Sequence, residues 1–202
     1  TDHWITNNHY NTDGNLTHTS QTGGGFGDSY TYYTSTTAPE YPTDGSHPES
    51  GGGVQGYLAH HHILGLKLYD VDYVKKTVNG QTLYLTYSTS QYAEAVGMLE
   101  DGNPQTTIYH YTFHDVTDDV TGPVVKTRET ILPAVATEQN GAGITHSEID
   151  VYDTAGRLVW SQDALGYLSY IEYDATTGAV TKRITDVDTT ETSDFDATWL
   201  PA

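Results

Sequence analysis

Across 106–116 the chain alternates. Tyr109, Tyr111 and Phe113 fall on one face of an extended backbone, and Ile108, His110, Thr112 and His114 fall on the other. Successive side chains of a strand point to opposite faces, so this period of two predicts a strand. The run 81–88 repeats it with Leu83, Leu85 and Tyr87, and 180–187 follows it more weakly. In 57–69, Leu58, Leu64, Leu66 and Leu68 share one parity, which predicts a further strand through that stretch. Leu158 and Trp160 flank Val159, an apolar run on both faces that suits a sheet covered on both sides. For 92–99, a short helical turn and a strand continuing from Tyr84 are both open.

Between these runs lie turn signals: Asp13-Gly14, 22–25, Asp44-Gly45, 50–53, Asn79-Gly80, Asp101-Gly102, Asn140-Gly141, Ala155-Gly156 and Thr177-Gly178. Asn-Gly and Asp-Gly supply the positive φ of tight hairpin turns. The expected fold is therefore all-β, an antiparallel sheet of hairpins over one β-rich segment, 1–202. Segment 34–53, rich in Pro, Gly, Ser and Thr, reads as a long surface loop. The glycine runs 23–25 and 51–53 read as flexible connectors, since they lack the lysine and helix start of a phosphate loop. The tail from Asp186 loses periodicity and is expected to cross to a neighbouring element.

Charge narrows the function. Eight Lys and Arg stand against 27 Asp and Glu, a net charge of −19. Such a chain has nothing with which to release counterions from a phosphate backbone, and it gains nothing from an anionic membrane surface. With no cysteine, disulfides, iron–sulfur clusters, Cys-ligated zinc and thiol catalysis are excluded. Aromatic residues make up 11% of the chain, more than disorder predicts. No run of about 18 apolar residues would form a membrane helix. There is no signal-peptide pattern, and the first residue is Thr1, so a piece of a longer protein is expected.

One phrase repeats. Tyr152-Asp153-Thr154-Ala155-Gly156-Arg157-Leu158 is followed by Asp163, Gly166 and Tyr170, then by Tyr173-Asp174 with Gly178 and Val180. The two Tyr-Asp pairs lie 21 residues apart. Tyr10, Asn11, Gly14 and Leu16 keep the same frame with Asn in place of Asp. Over 149–187, and in a looser form over 9–20, the chain resembles the YD-repeat, or RHS, family. That family includes bacterial wall-associated and toxin-encapsulating proteins and the teneurin barrel. The unit is taken as 144–187. In physical terms, Tyr ends one strand, Asp accepts N–H bonds from the turn, and glycine takes a conformation that side chains resist. Arg157 and Leu158 open the return strand. A single unit cannot bury its own apolar face, so units must stack. The resemblance implies a spiralling sheet able to close into a shell, and a non-enzymatic structural role in a large secreted or cell-surface bacterial protein. Its partners would be flanking repeats or further copies. Some members of the family cut themselves through carboxylates near the end of the repeat array. That motif is not found here, so no catalytic residue is carried over.

Other candidate chemistry is thinner. His60 and His62 share a strand face about 7 Å apart, close enough to chelate one metal ion. Leu58, Leu64 and Leu66 share that parity, so a cross-strand or buried histidine pair is preferred. His110 and His114 sit about 13–14 Å apart on a strand, too far for one ion. Two acidic groups, Asp115, Asp118 and Asp119, and Asp186 and Asp188 with Glu191, Asp194 and Asp196, could supply the oxygens calcium takes. Glu191 falls where an EF-hand loop needs glycine, and a solvated acidic loop is preferred. Calcium is the only cofactor entertained. No Gly-x-Ser-x-Gly or His-Glu-x-x-His motif is present. Asn15-Leu16-Thr17 fits a glycosylation sequon, which a bacterial origin would leave idle. The rival reading is a carbohydrate-binding module or polysaccharide-active enzyme, stacking sugars on exposed tyrosines and on Trp4, Trp160 and Trp199.

Overall fold

The alternating runs become strands, and strands dominate. The computed structural model describes residues 4–22, 27–43, 46, 48, 51–95, 98–99, 105–114 and 123–200. Among these it contains thirteen strands and two short 3-10 segments, so the protein is all-β and antiparallel. None of its described helices is long and apolar enough to cross a membrane. The chain divides into two units, Thr1–Lys76 with Thr82–Thr106, and Thr77–Gln81 with Thr107–Ala202.

In the first unit, β1 (Thr6–Tyr10), β2 (Leu16–Gln21), β3 (Gly27–Tyr32), β4 (Leu58–Ile63), β5 (Lys67–Val78) and β6 (Gln81–Ala95) are neighbours in chain order. The two-residue β7 (Met98–Leu99) folds back on the end of β6. Residues 92–95 are therefore strand, settling the choice left open above. Asn79 and Gly80 both take positive φ, +50° and +76°, as a two-residue hairpin turn requires.

Two expectations are corrected here. The stretch 57–69 is a hairpin, because Gly65 at φ +77° turns the chain and Leu66 N–H bonds Ile63 O at 3.0 Å. The shared leucine parity was a coincidence across that turn, and Leu64 and Leu66 lie exposed at its tip. Segment 34–53 is the long loop expected, mostly at the surface among its described residues, but the glycine run 51–53 and its neighbours are anchored to β5 and not free. Tyr41 N–H bonds Lys75 O at 2.7 Å, Lys75 N–H bonds Pro39 O at 2.9 Å, and Gly52 exchanges bonds with Tyr73. Ala38 and Val54 are thereby buried with Val71 and Tyr73, with Tyr33 and Leu58 packed against them. The glycines here are not connectors. A Cβ at Gly53 would overlap the Tyr33 ring, and one at Gly52 the Thr37 carbonyl. The Tyr33 hydroxyl donates to Val71 O at 2.8 Å, and burial, with Asp72 nearby, pushes its phenol up to about 12.

In the second unit, β8 (Gln105–Phe113), β9 (Val125–Leu132), β10 (His146–Tyr152), β11 (Leu158–Gln162), β12 (Leu168–Tyr173) and β13 (Val180–Thr185) again follow chain order. Its core is Val151, Val159, Trp160, Tyr170 and Phe195. Val159 and Trp160 are both buried, so β11 is covered on both faces. The aperiodic tail supplies part of that cover. Phe195 meets the Trp160 ring edge-on at 5.1 Å, and Trp160 Nε1 donates to Asp196 O at 3.3 Å. Asp196 then caps the 3-10 segment Ala197–Trp199 through Thr198 N–H.

Trp160→Ala is expected to cost about 3–5 kcal/mol, the usual range for emptying a large aromatic site. Phe195→Ala should cost about 3 kcal/mol and loosen the tail. Urea unfolding measures both. A loss under about 1 kcal/mol for Phe195→Ala would show that the tail is not part of this core.

Candidate functional site

One local device recurs along the sheet. In 153–157, Asp153 Oδ1 accepts the N–H groups of Ala155 and Arg157, each at 2.9 Å, while Gly156 takes φ +76°. Its main chain closes the same loop, Asp153 N–H to Arg157 O and Gly156 N–H to Asp153 O, both 2.9 Å. In 163–167, Asp163 does the same with Leu165 and Tyr167, and Gly166 takes φ +91°. In 11–15 the amide oxygen of Asn11 accepts from Asp13 and Asn15 at 3.0 and 2.8 Å, with Gly14 at φ +82°. Asp174 builds a turn one residue longer, accepting from Thr176 and Thr177 N–H before Gly178 at φ +71°. A short side-chain acceptor at the first position and a left-handed glycine are what such turns need.

The turns sit beside a second regularity. At five hairpins the register shifts by a bulge, and an aromatic residue faces an aliphatic one across it. These pairs are Tyr10 with Leu16, Tyr32 with Leu58, Phe113 with Val125, Tyr152 with Leu158, and Tyr173 with Val180. Two of the tyrosines then reach back to the preceding hairpin. Tyr32 OH donates to Leu16 O at 2.7 Å, and Tyr173 OH donates to Leu158 O at 2.9 Å. Each bond latches one hairpin to the last. Arg157 finishes the second latch by pairing with Asp153 at 2.8 Å and lying over the Tyr173 ring at 4.7 Å. Tyr32 was missed in the sequence, although it lies 22 residues after Tyr10, close to the 21-residue spacing. Tyr10 itself is exposed, while Tyr170 is in the core.

The electrostatics of Asp153 follow from this geometry. Burial alone would raise its carboxyl. The Arg157 N–H, the Arg157 guanidinium and the Ala155 N–H together outweigh burial and hold it below the usual range. Asp174, Asp188 and Asp196 are also lowered, in each case by threonine N–H and hydroxyl donors.

Among the described residues the proposed metal ligands are not brought together. His60 Nδ1 lies 2.5 Å from Asp70 Oδ1 on β5, while His62 sits opposite Leu68 in the register. His61, between them, stacks on Tyr30 at 4.5 Å and approaches Asp28 at 3.1 Å. The buried or cross-strand histidine pair that was preferred for His60 and His62 does not form: His60 is exposed and meets Asp70, and the aspartate contact on the other side, Asp28, is made by His61. Asp188 Oδ1 accepts the N–H and hydroxyl of Thr190, and Asp186 takes φ +56° in the following turn. Asp115, Asp118 and Asp119 lie outside the described residues. Among the described residues no three His, Asp or Glu side chains converge on one point. Trp160 is fully buried and supplies no sugar platform, Trp4 is exposed, and the side chain of Trp199 lies outside the described residues.

A cleft of about 350 Å³ opens in the second unit, lined by Tyr111, Val125, Arg128, Tyr152 and Gly156. Arg128 Nη2 pairs with Asp150, directly across in the register, and Tyr152 OH reaches the same carboxylate at 3.4 Å. Burial raises the Tyr152 phenol, and the Asp150 charge adds to it. Nothing in the alternation marked Arg128 or Asp150, because a cross-strand pair is set by register and not by sequence spacing.

Gly156→Val should cost about 1–3 kcal/mol, since a β-branched residue is strained at positive φ. Asp153→Asn should keep the turn, as Asn11 does, but lose the guanidinium pair. Because the folded carboxyl lies below its unfolded value of about 3.9, its contribution is full above that pH and fades as pH falls through the folded value. The stability gap between wild type and Asp153→Asn should therefore close on acidification, read by thermal melts from neutral to acid pH. A gap independent of pH would refute the ion-pair account. No family model and no curated protein matches the chain, so its function rests on these turns, latches and strand edges.

Proposed function

We propose that this chain is a non-enzymatic structural segment of YD-repeat type, part of a large secreted or cell-surface bacterial protein. It acts by continuing its sheet into flanking repeats or into further copies of itself. The observation that carries the reading is the recurrence of one acceptor-and-glycine turn at 11–15, 153–157 and 163–167, joined to a tyrosine latch at Leu16 and again at Leu158. A device that ties a hairpin to its predecessor, used here twice, serves an array, because it specifies how the next unit is added.

The edges fit that role. Among the described residues β1 and β13 are each hydrogen-bonded along one side. All five residues of β1, Thr-Asn-Asn-His-Tyr, are exposed, and the strand contains no Lys, Arg or Pro to discourage pairing. β13 carries Lys182 and Arg183, two of only eight cations in the chain. A basic edge is the part of a −19 chain that a second copy can approach without repulsion, and the remaining charge is screened within about 8 Å at physiological salt.

Size-exclusion chromatography with small-angle scattering tests this on the 202 residues. Association is expected to strengthen as salt is raised, and Asn8→Lys in β1 should abolish it. A monomer at every salt concentration, with a radius of gyration near 16–17 Å, would overturn the assembly reading.

A further inference from the structure

At Tyr152 the latch is not made, and there the cleft opens. Leu16, Leu158 and Val125 are three of the five aliphatic residues that face an aromatic across a bulge, and each opens the return strand of its hairpin. The carbonyls of Leu16 and Leu158 receive the tyrosine of the next hairpin. By the same pattern Tyr152 should bond Val125 O, but its hydroxyl turns to Asp150. Register explains this. Continuing the β2–β3 pairing places Tyr32 opposite Asn15, and continuing β11–β12 places Tyr173 opposite Arg157, in each case one residue before the acceptor. Continuing β9–β10 places Tyr152 opposite Lys126, one residue after Val125. The pair is slipped by two residues, which keeps every side chain on its face but carries the tyrosine past its acceptor.

The space left is walled by two tyrosine rings and Val125, with a guanidinium at one side. Among the described residues the Arg128 guanidinium bonds only Asp150, and its Nε is buried with no hydrogen-bond partner. A guanidinium carries five N–H donors, and an unpaired buried donor is a cost that a bound acceptor relieves once the group swings toward the cleft. Asp150 neutralises Arg128, and the chain as a whole is strongly acidic, so the cleft does not select an anion. What remains is aromatic faces beside groups that both donate and accept, guanidinium N–H and phenol hydroxyls, with the Asp150 carboxylate behind them. A neutral, hydroxyl-rich ligand with an apolar face matches that set, and the volume lies in the range of small-ligand pockets.

We infer that the cleft of Tyr111, Val125, Arg128, Tyr152 and Gly156 is a binding site for a neutral saccharide. The site stands apart from the sheet edges and does not depend on the assembly reading. The probes are cellobiose, maltose and N,N′-diacetylchitobiose, titrated into the isotopically labelled chain and followed by its amide resonances. At least one should shift the amides of Tyr111, Arg128 and Gly156 selectively, with a Kd in the millimolar range. Tyr152→Phe, which removes one hydroxyl and leaves the ring, should weaken binding about tenfold with an unchanged melting temperature. Arg128→Lys keeps a cation for Asp150 and removes the planar fork, and it should weaken binding by at least as much. The site is refuted if no saccharide moves these amides at millimolar concentration, or if both folded variants bind as the wild type does. Displacement by acetate or sulfate in a salt-dependent manner would show an anion site instead and would equally overturn the inference.

Discussion

Much of this sheet depends on where a strand stops, and at the turns of Asn11, Asp153, Asp163 and Asp174 a single side-chain oxygen decides that. In 153–157 one carboxylate oxygen takes two backbone N–H groups, and a left-handed glycine carries the chain round. Because the face a residue occupies changes with every one-residue shift, a turn of fixed length assigns the faces of the strand that follows. Trp160 is buried because the turn before it places Leu158 opposite Tyr152 across a bulge. A longer or looser turn would carry Trp160 toward solvent. The turn is local chemistry with a long-range consequence.

The same view accounts for part of the acidity. A net charge of −19 suggests a field for cations, yet several carboxylates are engaged within their own loops. Asp153, Asp163, Asp174, Asp188 and Asp196 each accept N–H groups within a few residues, and four of them are lowered by those donors or by neighbouring cations. Each of these carboxylates has one oxygen committed to its own loop. The charge is thus partly a by-product of a β protein that makes its turns with aspartate, and Asn11 shows that the charge is not needed for the turn.

What was legible in the sequence follows the range of the interactions. The turns at Gly14, Gly156 and Gly178 were readable because acceptor and glycine lie within five residues of each other, while Gly166, marked only as part of the repeat phrase, closes a turn of the same kind. The strands around 108–113 and 81–88 were readable because alternation is local. Segment 34–53 was readable as a loop from its composition, but its anchoring was not, because that depends on Tyr33, Val71 and Tyr73, which composition does not reveal. The parity of Leu58, Leu64, Leu66 and Leu68 misled for a related reason: one glycine at φ +77° resets the faces, and a pattern count runs through it. Arg128 and Asp150 stayed invisible because they are 22 residues apart and meet only through the register.

Register also separates the two roles argued for this chain. Where the strands keep one offset, as at Tyr32 with Leu16 O and Tyr173 with Leu158 O, the tyrosine closes on its neighbour and the surface is sealed. A slip of two leaves the alternation of faces untouched, so the packing of the second unit around Trp160 is not disturbed. It does strand one hydroxyl away from its carbonyl, and Arg128, held by Asp150, lines the opening that results. A slip of one would have turned the apolar face of β10 outward, whereas a slip of two keeps Val151 in the core and changes only what the end of the strand can reach. A repeated sheet can therefore acquire a cleft at one step without disturbing its core.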